Sequence, residues 1–418
     1  MDPITEPLAP LLGSAFPPSG LTREQRALIA GLQRALDAEI APRAAGHDAR
    51  GRYPSDSVAA LKRSGFLKAV VPAAFGGLGV PHRVSLEAQV RLGAADSALA
   101  QIYKIHDELI REIFVYAPDA LRPRLARAVL EENAILGLAV AERGRKVDDP
   151  LTTIALPRPG GGFLVNGTKI YTTGAAEADL IAVWAFNPQA EGVAENPLRG
   201  AQCNLVAAGT PGMTIHRDWD ALGQRATDSG TIAFDNVATD PAWQASRPGE
   251  VSPLHASLRY QAGFAAVLVG IGIAAIRAAA GFVPTQSRPW PSAGVDNAAD
   301  DPYVRRLVGE LVADLAAAYA LTLATGDLLD GFERGEVDRV GVAIPIYAAK
   351  SAASRAAVRA TSEIFAAMGT RGTARRNGFD RFWRNARTLS LHDPVDWKNA
   401  EIGRHALTGW DPPPGLYQ

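Results

Sequence analysis

Apolar and polar positions change rhythm twice along this chain. From Thr22 to about Glu132 apolar residues recur every three or four positions, the period of helices with one buried face. Ser55 or Asp56 stands where a cap would open a helix through Leu61 and Phe66, and Asp96 or Ser97 where a cap would open another. From Ala134 to about Val237 the texture is short apolar runs broken by turn residues: AILGLAVAE, TTIALPRPGGGFLVNGTKIYTTG, DLIAVWAF, CNLVAA and the alternating SGTIAFDNV. Such runs predict strands, and Asn166-Gly167 between two of them predicts a hairpin turn. After Pro248 long helical patterns return at roughly 253–284, 302–334, 338–368 and 380–408, a spacing that suits a four-helix bundle.

The expected architecture is therefore an α+β multidomain chain. A flexible tail (1–21) precedes an N-terminal α-helical domain (22–133), a central β-domain, barrel or sandwich (134–248), and a C-terminal helical bundle (249–418). A ligand bound between domains is expected of such an enzyme. Ala262 to Val283 is long enough to cross a membrane and is interrupted by Arg277 alone. Its Ala and Gly content and polar helical flanks predict instead a buried helix of the bundle. The run Gly270-Ile-Gly272-Ile-Ala-Ala275 nearly matches a dinucleotide fingerprint. With no strand before it, the glycines predict close helix packing.

Composition narrows the partners. With 418 residues the chain exceeds one hydrophobic core. Its 43 basic and 44 acidic residues give no broad field for nucleic acid or an anionic membrane, so a small-molecule ligand is expected. The single cysteine, Cys203, excludes an internal disulfide and a cysteine-built metal site and fits a reducing compartment. The first twenty residues carry acids and prolines but no basic and apolar leader, so a cytoplasmic location is expected. No metal-ligand spacing and no nucleophile elbow are present.

Several residues invite chemistry. His106 shares a helical face with Leu99, Ile102, Tyr103, Ile110 and Ile113, so its imidazole points inward. It serves either as a core histidine bonded to a backbone carbonyl or as a general acid or base lining a cavity. In RNARTLSLHDP (384–394), Asp393 precedes a proline and is expected to cap a helix beginning at Pro394. His392 then falls at the end of the preceding helix, where the dipole would favour imidazolium and proton donation. Lys169-Ile-Tyr171-Thr172-Thr173-Gly174 ends a strand with hydroxyls and exposed amides, groups that hold a phosphate or a flavin edge. Trp219, Arg225 and Ser229 are contact candidates if a pocket adjoins them. Arg288, in TQSRPWPS beside Trp290, is a phosphate candidate.

The order helical, β, helical, with NGTKIYTTG, LGQRATDSGTIAFDNV, MGTRG (368–372) and RFWRNARTLSLHDP, resembles the acyl-CoA dehydrogenase superfamily over nearly the whole chain after the tail. Many of its members place a glutamate, in a Tyr-Glu-Gly-Thr type stretch, where this chain reads Leu391-His392-Asp393-Pro394, and that glutamate removes the substrate α-proton. It is missing here. The Trp383 to Thr388 run followed by His-Asp-Pro resembles instead the flavin-dependent monooxygenase branch, which includes dibenzothiophene monooxygenases and enzymes acting on sulfones and sulfinates. The resemblance implies reduced FMN, with FAD as the alternative. Reaction with O2 through a C4a-(hydro)peroxyflavin then oxygenates a small, foremost organosulfur, substrate. It implies proton-managing roles for His106 and His392 and a flavin-side position for Lys169, Thr172 and Thr173. Arg225, Ser229, Arg288 and the turn from Gly369 to Gly372 match segments around the flavin phosphate or a neighbouring subunit. A separate NAD(P)H-dependent flavin reductase and a homotetramer joined through the C-terminal bundle are further implications. Competing readings are an FAD-dependent acyl-CoA dehydrogenase, an amine N-hydroxylase of the same fold, and a catalytically silent binding module.

Overall fold

The computed structural model describes residues 20–146, 149–247 and 256–415. Of the expected tail only Gly20 and Leu21 are described, and Leu21 is buried. Thr22 opens α1 (Arg23–Ala35) with a reciprocal cap: its hydroxyl accepts from the Gln25 amide, and the Gln25 side chain accepts from the Thr22 amide. The helical domain continues through α2 (Ala41–Arg50), α3 (Ser55–Arg63), α4 (His82–Ala95), α5 (Ser97–Tyr116) and α6 (Leu121–Leu130). Asp96 caps α5, accepting from Ala98 at 3.0 Å and Leu99 at 3.2 Å. The cap expected from Ser55 or Asp56 does not form; α3 begins after Pro54 without a side-chain cap. Asp56 is drawn to His47 Nε2 at 2.7 Å, a stronger partner than a neutral amide once the imidazole is charged.

Among the described residues seven strands form one open sheet, half a barrel. They are β1 (Leu136–Ala139), β2 (Ile154–Pro157), β3 (Phe163–Lys169), β4 (Leu180–Phe186), β5 (Ala201–Ala207), β6 (Met213–Ile215) and β7 (Ile232–Ala238). The order is β1-β4-β2-β3-β7-β6, with β5 also paired to β4. Asn166-Gly167 is not the hairpin turn. It lies inside β3, at a bulge in the pairing with β7. The β2–β3 turn is made by Gly160, Gly161 and Gly162, all at positive φ, which glycine adopts without steric cost. Gly167 answers a different need, since a Cβ there would sit 2.6 Å from Thr153 Cα.

The C-terminal helices are α7 (Ala256–Gln286), α8 (Pro302–Glu333), α9 (Arg339–Met368), α10 (Asp380–Ser390) and α11 (Val395–Thr408). The span expected as one helix over 380–408 is broken at 391–394. Two described helices are long and apolar enough to cross a membrane, Ser257–Gln286 and Pro302–Glu333. The first is core: Ala262 through Ile273 is buried throughout. Its glycines let α4 and α7 cross at backbone distance, because a Cβ on Gly270 would lie 2.3 Å from Val90 O and one on Gly93 would lie 2.8 Å from Val267 O. One apolar core consequently runs from Leu21 on the N-terminal side to Leu389 in α10, and α4 and α5 end up packed on the bundle.

Candidate active site

The break between α10 and α11 turns polar groups inward. The His392 amide donates back to Leu389 O at 3.2 Å, closing the last turn of α10. Asp393 caps nothing: α11 starts without a side-chain cap. The buried Asp393 carboxylate instead faces Lys350 Nζ of α9 at 3.4 Å and Lys398 Nζ of α11 at 4.0 Å. Two buried ammonium groups outbid one helix amide, which is the physical reason the expected cap fails. Burial pushes the Asp393 carboxyl up, but His392 and the two lysines outweigh it and hold it at about 2. Burial in turn pulls Lys350 down to about 8, against the pull of Asp393.

His392 lies on the ring of Phe264, centroids 4.0 Å apart. Lys104 Nζ sits 3.8 Å and Lys350 Nζ 4.3 Å from the same Phe264 centroid, so one aromatic ring carries an imidazole and two cations. The His392 side chain is 42% exposed, yet protein closes round the ring on enough sides to lower its pKa. Burial is the main cause, the Lys350 and Lys104 charges add to it, and Asp393 opposes it. The imidazole is therefore neutral at neutral pH, the reverse of the imidazolium that the helix dipole alone suggests.

A second constellation joins the sheet to the helices. Thr173 Oγ1 meets Ser229 Oγ at 2.9 Å, Ser229 donates to Thr227 Oγ1 at 2.8 Å, and Thr227 donates to Gln224 O at 2.8 Å. Thr172 Oγ1 donates to Gly230 O at 2.8 Å. Tyr171, Gln224 and Asp228, none of them glycine, hold positive φ around this hydroxyl chain, a cluster of strained backbone of the kind found at ligand sites. Asn385 of α10 accepts the Gln224 amide at 2.6 Å, while Arg384 bonds Leu222 O and both oxygens of Asp48. Beside this tie lies a cleft lined by Asp48, Asp96, Arg225, Arg381 and Asn385 among others.

The tie is tight at Gly223, where a Cβ would sit 2.0 Å from Arg384 O, whereas a Cβ on Gly281 in α7 meets nothing. Thermal denaturation of Gly223→Ala is expected to show a loss of about 1–3 kcal/mol. The control Gly281→Ala is expected to gain up to about 1 kcal/mol. Equal stability of the two variants would contradict the close approach.

Acyl-CoA dehydrogenase domains match in succession: the N-terminal domain over residues 22–132, the middle domain over 137–237 and the C-terminal domain over 262–397. A dibenzothiophene monooxygenase from Mycolicibacterium goodii is 37% identical over 380 residues, covering 85% of this chain and 88% of its own. The probable FMNH2-dependent monooxygenase SfnC from Pseudomonas putida is 30% identical over 403 residues, 92% and 96% of the two chains. The crystal structure of FMN-bound TdsC from Paenibacillus sp. A11-2 superposes with a TM-score of 0.86 at 30% identity, covering 94% of this chain and all of that one. This chain belongs to the flavin-dependent monooxygenases of acyl-CoA dehydrogenase fold.

The residues of this monooxygenase fit a flavin on an observation of their own. Gln224 is buried and neither its Oε1 nor its Nε2 has a hydrogen-bond partner, a pairing of acceptor and donor that the polar edge of an isoalloxazine would satisfy. Gln224, Arg225, Thr172, Thr173 and Ser229 belong to one neighbourhood, and Trp219 closes it by donating from Nε1 to Gln224 O at 2.9 Å. Arg288, Gly369 and Gly372 form a separate group at the other end of α7. There Ser287 donates to Met368 O at 3.0 Å and Arg371 to Gln286 O at 2.9 Å. Arg288 itself is exposed.

Two expected site residues are spent on structure. His106 is fully buried; its Nε2 lies 3.2 Å from Leu67 O and its Nδ1 accepts from the Leu136 amide at 3.2 Å. Both nitrogens thus serve backbone, and burial pulls the pKa to about 4 despite Leu67 O. His106 is a neutral peg joining α5 to β1, which corrects the proton-carrying role. Lys169 is likewise engaged within the protein: its ammonium, at zero exposure, bonds Glu142 at 2.6 Å and Val140 O at 3.0 Å. The residues missed are Lys104, Glu108, Arg259 and Lys350. Charged side chains usually lie on solvated faces, so nothing in the sequence singled these out, but α5, α7 and α9 are buried where they sit.

Proposed function

We propose that this chain is the oxygenase component of a two-component cytoplasmic system. It takes reduced FMN from a separate NAD(P)H-dependent flavin reductase and transfers one atom of O2 to a small organosulfur compound. The observation that carries the reading is the 391–394 break. Its one carboxylate, Asp393, is held at about 2 by His392 and the lysines in spite of its burial, far too weak a base to remove a carbon-bound proton. A neutral imidazole stands beside it. The alternative dehydrogenase reading lacks its base.

Bound reduced FMN with O2 supplies the oxygen atom; the protein supplies shelter and proton control. His392 exchanges a proton at the reacting end. The Thr173–Ser229–Thr227 chain fixes hydroxyl dipoles toward the flavin, with Thr172 and Gln224 beside it. Arg225 in the cleft, and Arg288 with the Gly369–Gly372 turn, hold phosphate or a neighbouring subunit of a homotetramer.

Mixing the purified protein with reduced FMN and oxygen is expected to give a long-lived oxygenated-flavin absorbance, and sedimentation is expected to give a tetramer. A protein that instead carries FAD and is bleached by an acyl-CoA would be a dehydrogenase, and the proposal would fall.

A further inference from the structure

Asp393 presents one oxygen to two rivals. Its Oδ1 lies 3.4 Å from Lys350 Nζ on α9 and 3.6 Å from His392 Nδ1, while Lys398 Nζ of α11 stands 4.0 Å from the other oxygen, Oδ2. A carboxylate bonded to an imidazole favours the imidazolium, and a lysine on the same oxygen competes for that bond. Lys350 and Asp393 are both buried, and neither Lys350 Nζ nor either Asp393 oxygen has a hydrogen-bond partner among the described residues. The ion pair and the face of Phe264, at 4.3 Å, are what hold the ammonium.

The surrounding charges pair off. Lys104 on α5 bonds Glu108 at 2.8 Å. Burial weakens the Lys398 charge, and Asp393 and Glu401 support it. From α7 come the uncharged Phe264 and, about one turn earlier, Tyr260 beneath Lys104 and Arg259, which acts on Glu108. The charges that act on the His392 ring are Asp393, Lys350 and Lys104. Each carboxylate in this group already answers a lysine, so an imidazolium would add a cation without an anion of its own.

The scaffold fixes Lys350 in this place. Ser351, its neighbour on α9, donates to Asn399 Oδ1 of α11 at 2.7 Å, and Lys398 lies over the Tyr347 ring at 4.5 Å. Burial pulls Lys350 down to about 8 against Asp393, so at neutral pH it remains a cation.

We infer that Lys350 is a positioning residue for His392: by holding Asp393 Oδ1 it denies the imidazole a counter-ion and keeps the ring neutral for the oxygenation. The inference rests on the proposed proton role of His392 and deepens it. Without Lys350 the carboxylate is free to turn to Nδ1, and the ring charges at a pH where the wild type stays neutral. A ready proton donor then lets oxygen leave as hydrogen peroxide before the substrate is met.

The test reads the imidazole itself. Diethyl pyrocarbonate acylates neutral imidazole and spares imidazolium. The His392 side chain is exposed to it, and the tryptic peptide 388–398 contains no other histidine. The acylation rate of that peptide is followed by mass spectrometry in the full chain, from about pH 5.5 to 8, a range that brackets an ordinary histidine. The wild-type rate is expected to hold its plateau down to 6.5 and fall below it. In Lys350→Met the fall is expected at higher pH, leaving the rate at 6.5 about threefold or more under its own plateau. Lys350→Gln stands in if Lys350→Met does not fold. Lys350→Arg keeps the cation and should keep the wild-type profile. Lys350→Met/Asp393→Asn removes both charges and should return to it. Hydrogen peroxide released on mixing with reduced FMN and oxygen should rise at that pH in the same order of variants. If the neutral replacement keeps the wild-type profile, if Lys350→Arg shifts as far, or if the double variant stays shifted, the inference is wrong while the monooxygenase reading stands. If acylation shifts but peroxide release does not follow, His392 is not the proton carrier, and the inference falls with that role. A wild type with no long-lived oxygenated-flavin absorbance overturns the reading itself.

Discussion

His392→Ala is expected to consume reduced FMN and oxygen at least as fast as the wild type but to release hydrogen peroxide, with product per flavin falling by about a hundredfold or more. The size follows from what a positioned proton carrier contributes, about 10²–10⁴. The direction follows from chemistry that must not lose its oxygen to water before the substrate arrives. The ring rests on Phe264 at 4.0 Å with Asp393 at 3.6 Å from Nδ1, so alanine removes both the proton carrier and a wall of the site. Burial, Lys350 and Lys104 together depress the imidazole below 6.5, against Asp393. A depressed histidine is neutral above its own pKa, so wild-type coupling should stay level from neutral pH down to 6.5 and fall only below it. His392→Gln, which keeps the wall and a hydrogen bond but cannot exchange a proton in this range, should stay uncoupled at every pH. Wild-type product yield in either variant, by peroxide and product assay, would remove His392 from the chemistry.

The helical, β, helical order was legible because each segment obeys its own period, and Asp96 showed how a cap reads directly from sequence. Asn166-Gly167 misled because the same dipeptide that makes a two-residue turn also makes a bulge, and a glycine triplet four residues earlier takes the turn. Asp393 misled for a different reason. Capping is a local rule, and it lost to Lys350, a residue 43 positions earlier in the chain, whose presence no local window contains. The same limit hid the charged heart of the site. Lys104 and Glu108 at i and i+4 look like a solvent-facing pair, and only the packing of α5 against α7 shows that both are buried. His106 was placed inward correctly by its helical face, but a face cannot say that Leu67 O and the Leu136 amide will occupy both nitrogens. The Thr173–Ser229 contact joins residues 56 apart, each suggested by its own motif and neither by the other.

Glu142→Ala is expected to destabilise the fold by about 3–5 kcal/mol, the usual consequence of stranding one partner of a buried ion pair. Glu142 and Lys169 side chains are 1% and 0% exposed at 2.6 Å. Glu142 also accepts from the Thr152 amide at 2.7 Å, the Thr152 hydroxyl at 3.0 Å and the Thr153 amide at 2.8 Å. Burial raises its pKa, but Lys169 and these donors bring it from 4.5 down to about 2, a difference worth about 3 kcal/mol. The sign is that of a depressed acid: the contribution is complete above 4.5 and is lost as pH falls toward 2. Denaturant melts of the wild type should therefore lose stability over that window, and Glu142→Ala should lose less across it because it has less to lose. Without Glu142 the ammonium loses the partner that supports it at about 8, so Lys169 sheds its proton and remains a buried amine. The double variant Glu142→Ala/Lys169→Met removes the stranded group and should recover most of the stability. Function ought to follow the same order, since Lys169 ends β3 two residues before Tyr171, which Thr172 and Thr173 follow. A loosened pair lets the hydroxyl chain drift from Ser229, and coupling of flavin oxidation to product should fall in the single variant and return in the double. If the double variant were folded and stable yet still uncoupled, the pair would act on the flavin directly and its assignment as an internal brace would be wrong.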